Sequence, residues 1–327
     1  MTGPFPGMQS QLSTHCLSPT DDGQRVYVGR FAPTPSGRLH MGNLFAFLVG
    51  YLDAKQHQGR IVLRMEDLDP HRTSIKRADE MLCDLEWFGF TWDTPVVYQS
   101  QREEAYQEAF SRLQKQHLLY PCFCTRADLH SATAPHWGDE VIYPGTCSSL
   151  SREEQRIRRL EKDPSYRIRV PDRLFSFTDS FQGEQAFCLQ DTSGDFVVKR
   201  SDGVYSYQLA VVVDDAAMGV THVIRGVDLL TSAPRQRYLQ ECLGLSCVQY
   251  GHVPIIVDNQ GKRLAKRNQD ASLAFLKEQK HWSPERILGH ISWRTGLIGY
   301  DEPCSLETLI READLTVLYN RQVITWD

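Results

Sequence analysis

Pro33-Thr34-Pro35-Ser36-Gly37-Arg38-Leu39-His40-Met41-Gly42-Asn43 follows the β-rich run Arg25-Val26-Tyr27-Val28-Gly29-Arg30-Phe31 and leads directly into the apolar stretch Leu44 to Leu52. That order predicts a strand, a phosphate-sized turn and a helix. The prolines exclude helix before Gly37, the glycines let backbone come close to a ligand, and the first helical turn offers unpaired N–H groups and a positive dipole end to an anion. His40 is placed to donate from its imidazole to phosphate oxygens.

Outward from this stretch, Gly59 to Asp67 reads as a second strand ending in charge, as at the carboxyl edge of a parallel sheet where ligands sit. Ser74 to Phe88 is apolar at Ile75, Ala78, Met81, Leu82, Leu85 and Phe88, which is helical spacing, and Glu103 to Leu118 continues the alternation. From Tyr120 to Gln190 the pattern dissolves into Cys, Pro, Ser and charge before short strands such as Tyr166 to Val170, so this part is expected to be an insertion. Phe196 to Lys199, Tyr207 to Val213 and His222 to Gly226 are expected to be strands returning to the sheet, with a further strand at Val253 to Asp258. Helices are expected around Leu273 to Lys277, Pro284 to Trp293 and Leu306 to Ile310. The predicted organisation is a flexible leader over 1–24, two halves of a nucleotide-binding domain over 25–119 and 191–268, the insertion over 120–190, and a helical segment over 269–327.

A chain of 327 residues with 41% hydrophobic content can bury a large core. Its net charge of -5 provides no global basic field, so a nucleic-acid partner must be held by local patches. No basic n-region with an apolar core opens the chain, and the apolar run from Leu39 to Leu52 is too short to span a bilayer, so a cytoplasmic protein without membrane insertion is expected, as a monomer. Nine cysteines, an odd number in a chain of this size, argue for reduced thiols or metal ligands over a disulfide framework. Cys16, Cys83, Cys188, Cys242, Cys247 and Cys304 lack a close Cys or His partner at ligand spacing and read as core. Cys122-x-Cys124 with Cys147, closing a loop that contains Tyr143, differs: zinc takes four ligands in a tetrahedron, and three thiolates leave one position. On spacing alone His130 or His136 is the ordinary fourth ligand, and three unrelated thiols remain an equal alternative.

The opening stretch resembles the HIGH motif of class I aminoacyl-tRNA synthetases, and Arg30-Phe31-Ala32-Pro33-Thr34-Pro35-Ser36-Gly37 is similar to its glutamyl version. Arg64-Met65-Glu66-Asp67-Leu68-Asp69 resembles the R-x-E-D-T/L-D stretch of glutamyl and glutaminyl synthetases. Tyr207-Gln208-Leu209-Ala210 through Asp214-Asp215, followed by Ile224-Arg225-Gly226-Val227-Asp228-Leu229, resembles two further family segments. Gly261-Lys262-Arg263-Leu264-Ala265-Lys266-Arg267 stands where class I members carry the KMSKS loop, with Arg263 for the first Lys and Ala265 for the Ser. The resemblance implies an α/β fold, a Rossmann-like parallel sheet with a zinc-containing insertion and a short helical stem-contact-like segment. It implies glutamate binding by Arg30, Ala32, Thr34, Glu66, Tyr207 and Arg225, with Glu66 on the ammonium, and ATP handling by His40, Asn43 and Lys266. Asn43 stands where the family's second His would be. A guanidinium fork at Arg225 or Arg30 suits a carboxylate better than its amide. The resemblance also implies zinc held by Cys122, Cys124, Tyr143 and Cys147.

Only 61 residues follow Lys266, too few for an anticodon-binding domain of typical size after a stem-contact segment. This resembles the glutamyl-tRNA synthetase-like branch without that domain. Its members activate L-glutamate with ATP and Mg²⁺ and transfer it to queuosine at the wobble position of tRNA(Asp). The Arg-rich stretch Arg152, Arg156, Arg158, Arg159, Arg167 and Arg169 is then expected to meet RNA phosphates, a solvated helical face being the alternative. Two other readings stay open: a truncated enzyme charging a tRNA 3′ end, and a catalytically weakened RNA- or nucleotide-binding module, which would account for Asn43 and Ala265.

Overall fold

The computed structural model describes residues 26–125, 128, 142–261 and 273–326. The expected leader over 1–24, His130, His136 and the Lys266 loop lie outside these residues.

The opening stretch folds as β1 (Val28–Phe31), a turn and α1 (Met41–Gln56), and β2 (Arg60–Met65) pairs parallel to β1 with Arg30 beside Val62. All four residues of β1 are buried, as befits a strand covered on both faces. After α2 (Ile75–Trp87), β3 (Val97–Tyr98) adds to β2, and α3 (Glu103–Lys115) ends this half. The insertion contributes β4 (Leu119–Cys122), α4 (Arg152–Arg159), β5 (Ser165–Ile168) and the hairpin of β6 (Leu174–Asp179) with β7 (Gly183–Cys188).

Two expectations are corrected here. Phe196–Lys199 is a strand, β8, but it pairs antiparallel with β5 and so extends the β4-β5 sheet of the insertion instead of the parallel sheet. Tyr207–Ala217 is not a strand but a helix, α5, capped by Ser206, whose hydroxyl accepts from Leu209 N at 3.4 Å. Leu209, Ala210, Val211 and Val212 are all buried because α5 is covered on more than one side, and a helix apolar all round loses the periodicity that distinguishes it from a buried strand.

The chain then returns to parallel pairing with β9 (His222–Gly226), α6 (Ser232–Leu243) and β10 (Gln249–Val253). Thr221 joins β9 to β1: its N–H donates to Val28 O at 2.9 Å, and Val28 N donates to its hydroxyl at 2.8 Å. β11 (Ile255–Val257) is followed by α7 (Leu273–Glu278), α8 (Pro284–Thr295), α9 (Leu306–Glu312) and β12 (Val323–Thr325). The tail, expected to be helical, thus ends in a strand that pairs parallel with β11. With only Ile324 buried in three residues, β12 carries no readable alternation. Leu288, Ile291, Leu309 and Ile324 share one apolar cluster with Leu44, Leu48 and Leu52 of α1, so the tail packs on the first half of the sheet.

Candidate active site

The carboxyl ends of β1, β2, β9 and β10 open into one cavity of about 560 Å³. Where neighbouring parallel strands send their connections to opposite faces, such a crevice is where ligands bind. Its lining includes Arg30, Ala32, Thr34, His40, Asn43, Glu66, Tyr207 and Arg225, eight residues the sequence marked, drawn from two segments far apart in the chain.

His40 is the N-cap of α1, its Nδ1 accepting from Asn43 N at 3.3 Å. An imidazole that accepts through Nδ1 carries its proton on Nε2, so capping leaves His40 a donor. No acidic side chain occupies the first turn of α1, which keeps the positive end of the helix uncancelled from within. Gly42 is under the His40 ring, where a Cβ would stand 3.3 Å from it.

Beneath the cavity floor lies an ionic network that the sequence did not reveal. Arg64, on β2 and fully buried, meets Asp215 at 2.6 Å through Nη1, Glu66 at 3.2 Å through Nη2 and Asp214 at 3.7 Å through Nε. Burial alone would lower the Arg64 pKa, but Asp215, Glu66 and Asp214 together raise it, so the guanidinium stays charged. Asp215 also faces Arg30 at 3.0 Å, and Asp214 accepts from Arg102 at 2.5 Å, Gln99 at 2.8 Å and Tyr106 at 2.8 Å. Arg30, Arg64 and Arg102 thereby offset Glu66, Asp214 and Asp215. Glu66 receives one further contact, from the Thr34 hydroxyl at 3.4 Å.

Arg225 is different. Its Nη1 donates to Gln236 at 2.8 Å and its Nε to His252 at 2.9 Å, both neutral groups, while its buried Nη2 has no hydrogen-bond partner. A buried guanidinium N–H without an acceptor is costly unless a ligand supplies one. The wall therefore presents an unmet demand for an anion.

In the insertion, Cys122, Cys124 and Cys147 bring their Sγ atoms within 4.8 Å of one another. Cys124 and Cys147 are 3.6 Å apart, and the Tyr143 oxygen lies 3.4 Å from Cys122 Sγ and 3.9 Å from Cys124 Sγ. Ligands at about 2.3 Å from a tetrahedral zinc stand about 3.8 Å apart, so the four atoms fit one small metal ion. Burial, with Cys122 and Cys147 nearby, pushes the Cys124 thiol up to about 12. Crowded thiols of this kind ionise together only around a cation. Gly194, at φ +61°, packs against this loop so closely that a Cβ would come 2.5 Å from Tyr143 O.

The Arg-rich stretch divides. Arg152, Arg158 and Arg159 are exposed on α4, and Arg156 is engaged by Glu153 at 2.7 Å. Arg167, expected on the RNA face, is instead buried: its guanidinium stacks 3.7 Å from the Tyr143 ring and donates to Cys122 Sγ at 3.3 Å and Asp195 O at 2.6 Å. These contacts make it part of the cysteine cluster. Arg169 stacks on Tyr120 at 4.5 Å and donates to Ser148 O.

The family model described as tRNA synthetases class I (E and Q), catalytic domain, matches residues 26–324, and the chain belongs to that family. Its relatives narrow the group. A glutamyl-Q tRNA(Asp) synthetase of Symbiobacterium thermophilum is 46% identical over 299 residues, 88% of this chain and 92% of the relative. Another, of Neisseria meningitidis serogroup C, is 48% identical over 78% of this chain and 85% of its own length. A third, of Nitratidesulfovibrio vulgaris, is 40% identical over 91% and 95%. Among solved structures, a glutamate tRNA ligase from Elizabethkingia meningosepticum in complex with its amino acid superposes with a TM-score of 0.77 at 25% identity, over 92% of this chain and 67% of that one. The glutamate-tRNA synthetase of Elizabethkingia anophelis gives 0.79 at 25% identity, over 93% and 68%.

Proposed function

We propose that this chain activates L-glutamate with ATP and transfers it to queuosine at the wobble position of tRNA(Asp). The observation that carries the reading is the cavity at the strand ends, where a helix N-terminus with a donor imidazole, a carboxylate and a guanidinium with an unpartnered N–H converge. Relatives spanned over 85% to 95% of their length bear the glutamyl-Q name, whereas the matched glutamate-tRNA ligases are spanned over about two thirds.

In this reading ATP lies over the first turn of α1, where N–H groups and the Nε2–H of His40 meet phosphate oxygens and Asn43 adds a neutral donor. Glu66, held by Arg64, takes the substrate ammonium; Arg225 and Arg30 take its carboxylates; Ala32, Thr34 and Tyr207 shape the pocket. The glutamate α-carboxylate attacks the α-phosphorus and pyrophosphate leaves; a hydroxyl of the acceptor nucleoside then attacks the acyl carbon of the adenylate, losing its proton as the ester forms and AMP departs. Lys266 is assigned the cation that follows the triphosphate, and Mg²⁺ bound to the nucleotide would screen its charge. Zinc on Cys122, Cys124, Tyr143 and Cys147 cross-links the insertion. A cytoplasmic monomer completes the reading.

The test is transfer of labelled glutamate in the presence of ATP to tRNA(Asp) prepared with and without queuosine. Label on the queuosine-containing tRNA alone is expected; charging of both at equal rate would move the assignment to a truncated enzyme acting on the 3′ end. For the amino-acid site, Arg225→Ala is expected to reduce glutamate-dependent ATP–pyrophosphate exchange by about 10²-fold or more, because it removes a buried charge partner worth several kcal/mol. Near-normal exchange would remove Arg225 from the site.

A further inference from the structure

Arg225 is held from behind by residues of two other strands. β9 and β10 pair in parallel with a register that sets His252 directly beside Arg225, and Arg225 Nε donates to His252 Nε2 at 2.9 Å. His252 Nδ1 in turn lies 2.5 Å from Oδ2 of Asp179, the last residue of β6. Oδ1 of Asp179 accepts from three backbone N–H groups, those of Phe181 at 3.1 Å, Gln182 at 3.0 Å and His252 at 2.9 Å. The side chains of Asp179 and His252 are wholly buried, and neither lines the cavity.

Only one protonation pattern satisfies both neighbours. The Asp179 carboxylate requires a donor and the Arg225 Nε–H requires an acceptor, so the imidazole is neutral with its proton on Nδ1. Burial holds the His252 pKa below its ordinary value against the pull of Asp179, and Asp179 lies below the usual carboxylate value because the His252 contacts outweigh its burial. With Nε committed to His252 and Nη1 to Gln236, Nη2 is the nitrogen left without a partner on Arg225, a residue that lines the cavity. A carboxylate in direct contact with Arg225 would fix it equally well but would spend its charge. The interposed imidazole transmits the orientation and leaves the charge for the substrate.

We propose that Asp179 and His252 are positioning residues that lock the Arg225 guanidinium toward a substrate carboxylate, and so set both affinity for glutamate and rejection of glutamine. This rests on the reading of Arg225 as a carboxylate-binding residue. A fixed fork penalises the amide, whose NH₂ cannot accept, whereas a guanidinium free to rotate turns aside.

Asp179→Asn separates this role from a structural one. The amide oxygen keeps the three backbone contacts, but its NH₂ now donates to Nδ1, moves the imidazole proton to Nε2 and sets two donors against each other at Arg225. In glutamate-dependent ATP–pyrophosphate exchange the KM for glutamate is expected to rise about tenfold to a hundredfold, with KM for ATP and Tm near those of the parent, and glutamate-over-glutamine preference in kcat/KM to fall. His252→Gln, whose amide oxygen can accept from Arg225 Nε, is expected to keep most of the affinity, while His252→Leu loses it; this pair carries the test if Asp179→Asn does not fold. Unchanged KM for glutamate in His252→Leu, or equal losses in His252→Gln and His252→Leu, would overturn the relay. Arg225→Ala run alongside tells the two readings apart: if it too leaves KM for glutamate unchanged, the carboxylate assignment itself fails, and if it alone raises KM, only the relay fails.

Discussion

Arg64 is a fully buried guanidinium near the carboxyl end of β2, between the buried Leu63 and Met65, and its position explains why the pocket is pre-formed. It fixes Glu66 on the cavity side and Asp215 on the other, and Asp215 fixes Arg30. Losing one partner of such a network leaves an uncompensated buried charge, at about 3–5 kcal/mol. The buried imidazole of His252 and the half-buried one of His222 add a pH dependence whose sign follows from their environment. Burial lowers the pKa of both His252 and His222 below 6.5 in the folded chain. Between the folded and unfolded values the unfolded chain binds more protons, so the stability these groups contribute is present above about pH 6.5 and is lost as pH falls below it. Tm is therefore expected to fall between pH 7.5 and 5.5, with a flatter profile in His252→Gln; identical profiles would show that His252 titrates alike in both states. Asp179 acts in the same direction at lower pH, its depressed pKa keeping stability that protonation removes.

At the scale of elements, the sequence was most readable where backbone chemistry is local. The proline-rich turn, the α1 cap and the strand that ends at Met65, just before Glu66, follow from residue types that admit few conformations. α5 was misread because its apolar residues face protein on several sides, and β8 because a short apolar strand does not announce which sheet it joins. The cysteine loop was readable as a ligand set, but its supports were not: Arg167 looked like a surface cation, and Gly194 carried no motif. These supports are testable. Purified protein is expected to hold about one zinc, Cys122→Ser to release it while exchange with glutamate persists, and Gly194→Ala to speed zinc loss to a chelator, since the new methyl group must displace Tyr143. Protein prepared without chelator and free of zinc would overturn the metal assignment; unaltered release from Gly194→Ala would mean that the loop shifts without disturbing its ligands.

Across the whole molecule, the eight described residues marked from sequence for glutamate and ATP meet at one cavity because parallel pairing collects the carboxyl ends of β1, β2 and β9 side by side. The relay behind Arg225 was invisible because Asp179, Arg225 and His252 come from three separate strands with no shared motif. Only the register of β9 on β10 brings two of them together.

The same scale governs the encounter with RNA. A chain of net charge -5 repels a polyanion at long range, so capture has to come from local cations, and Arg152, Arg158 and Arg159 of α4 are exposed. A capping box between Ser151 and Glu154 fixes the start of α4, so that replacing arginines further along should change charge without unwinding the helix. Arg158→Glu with Arg159→Glu is expected to raise the KM for tRNA(Asp) and to reduce the salt slope of binding by roughly 1.5, as two phosphate contacts are lost. An unchanged slope would make α4 a solvated face. If the cavity receives the anticodon loop, tRNA(Asp) that already carries glutamate should still have its 3′-terminal ribose oxidised by periodate, since the ester forms on a nucleoside far from that end and leaves the terminal diol open. A 3′-terminal ribose protected from periodate by the bound glutamate would place the acceptor at the 3′ terminus instead.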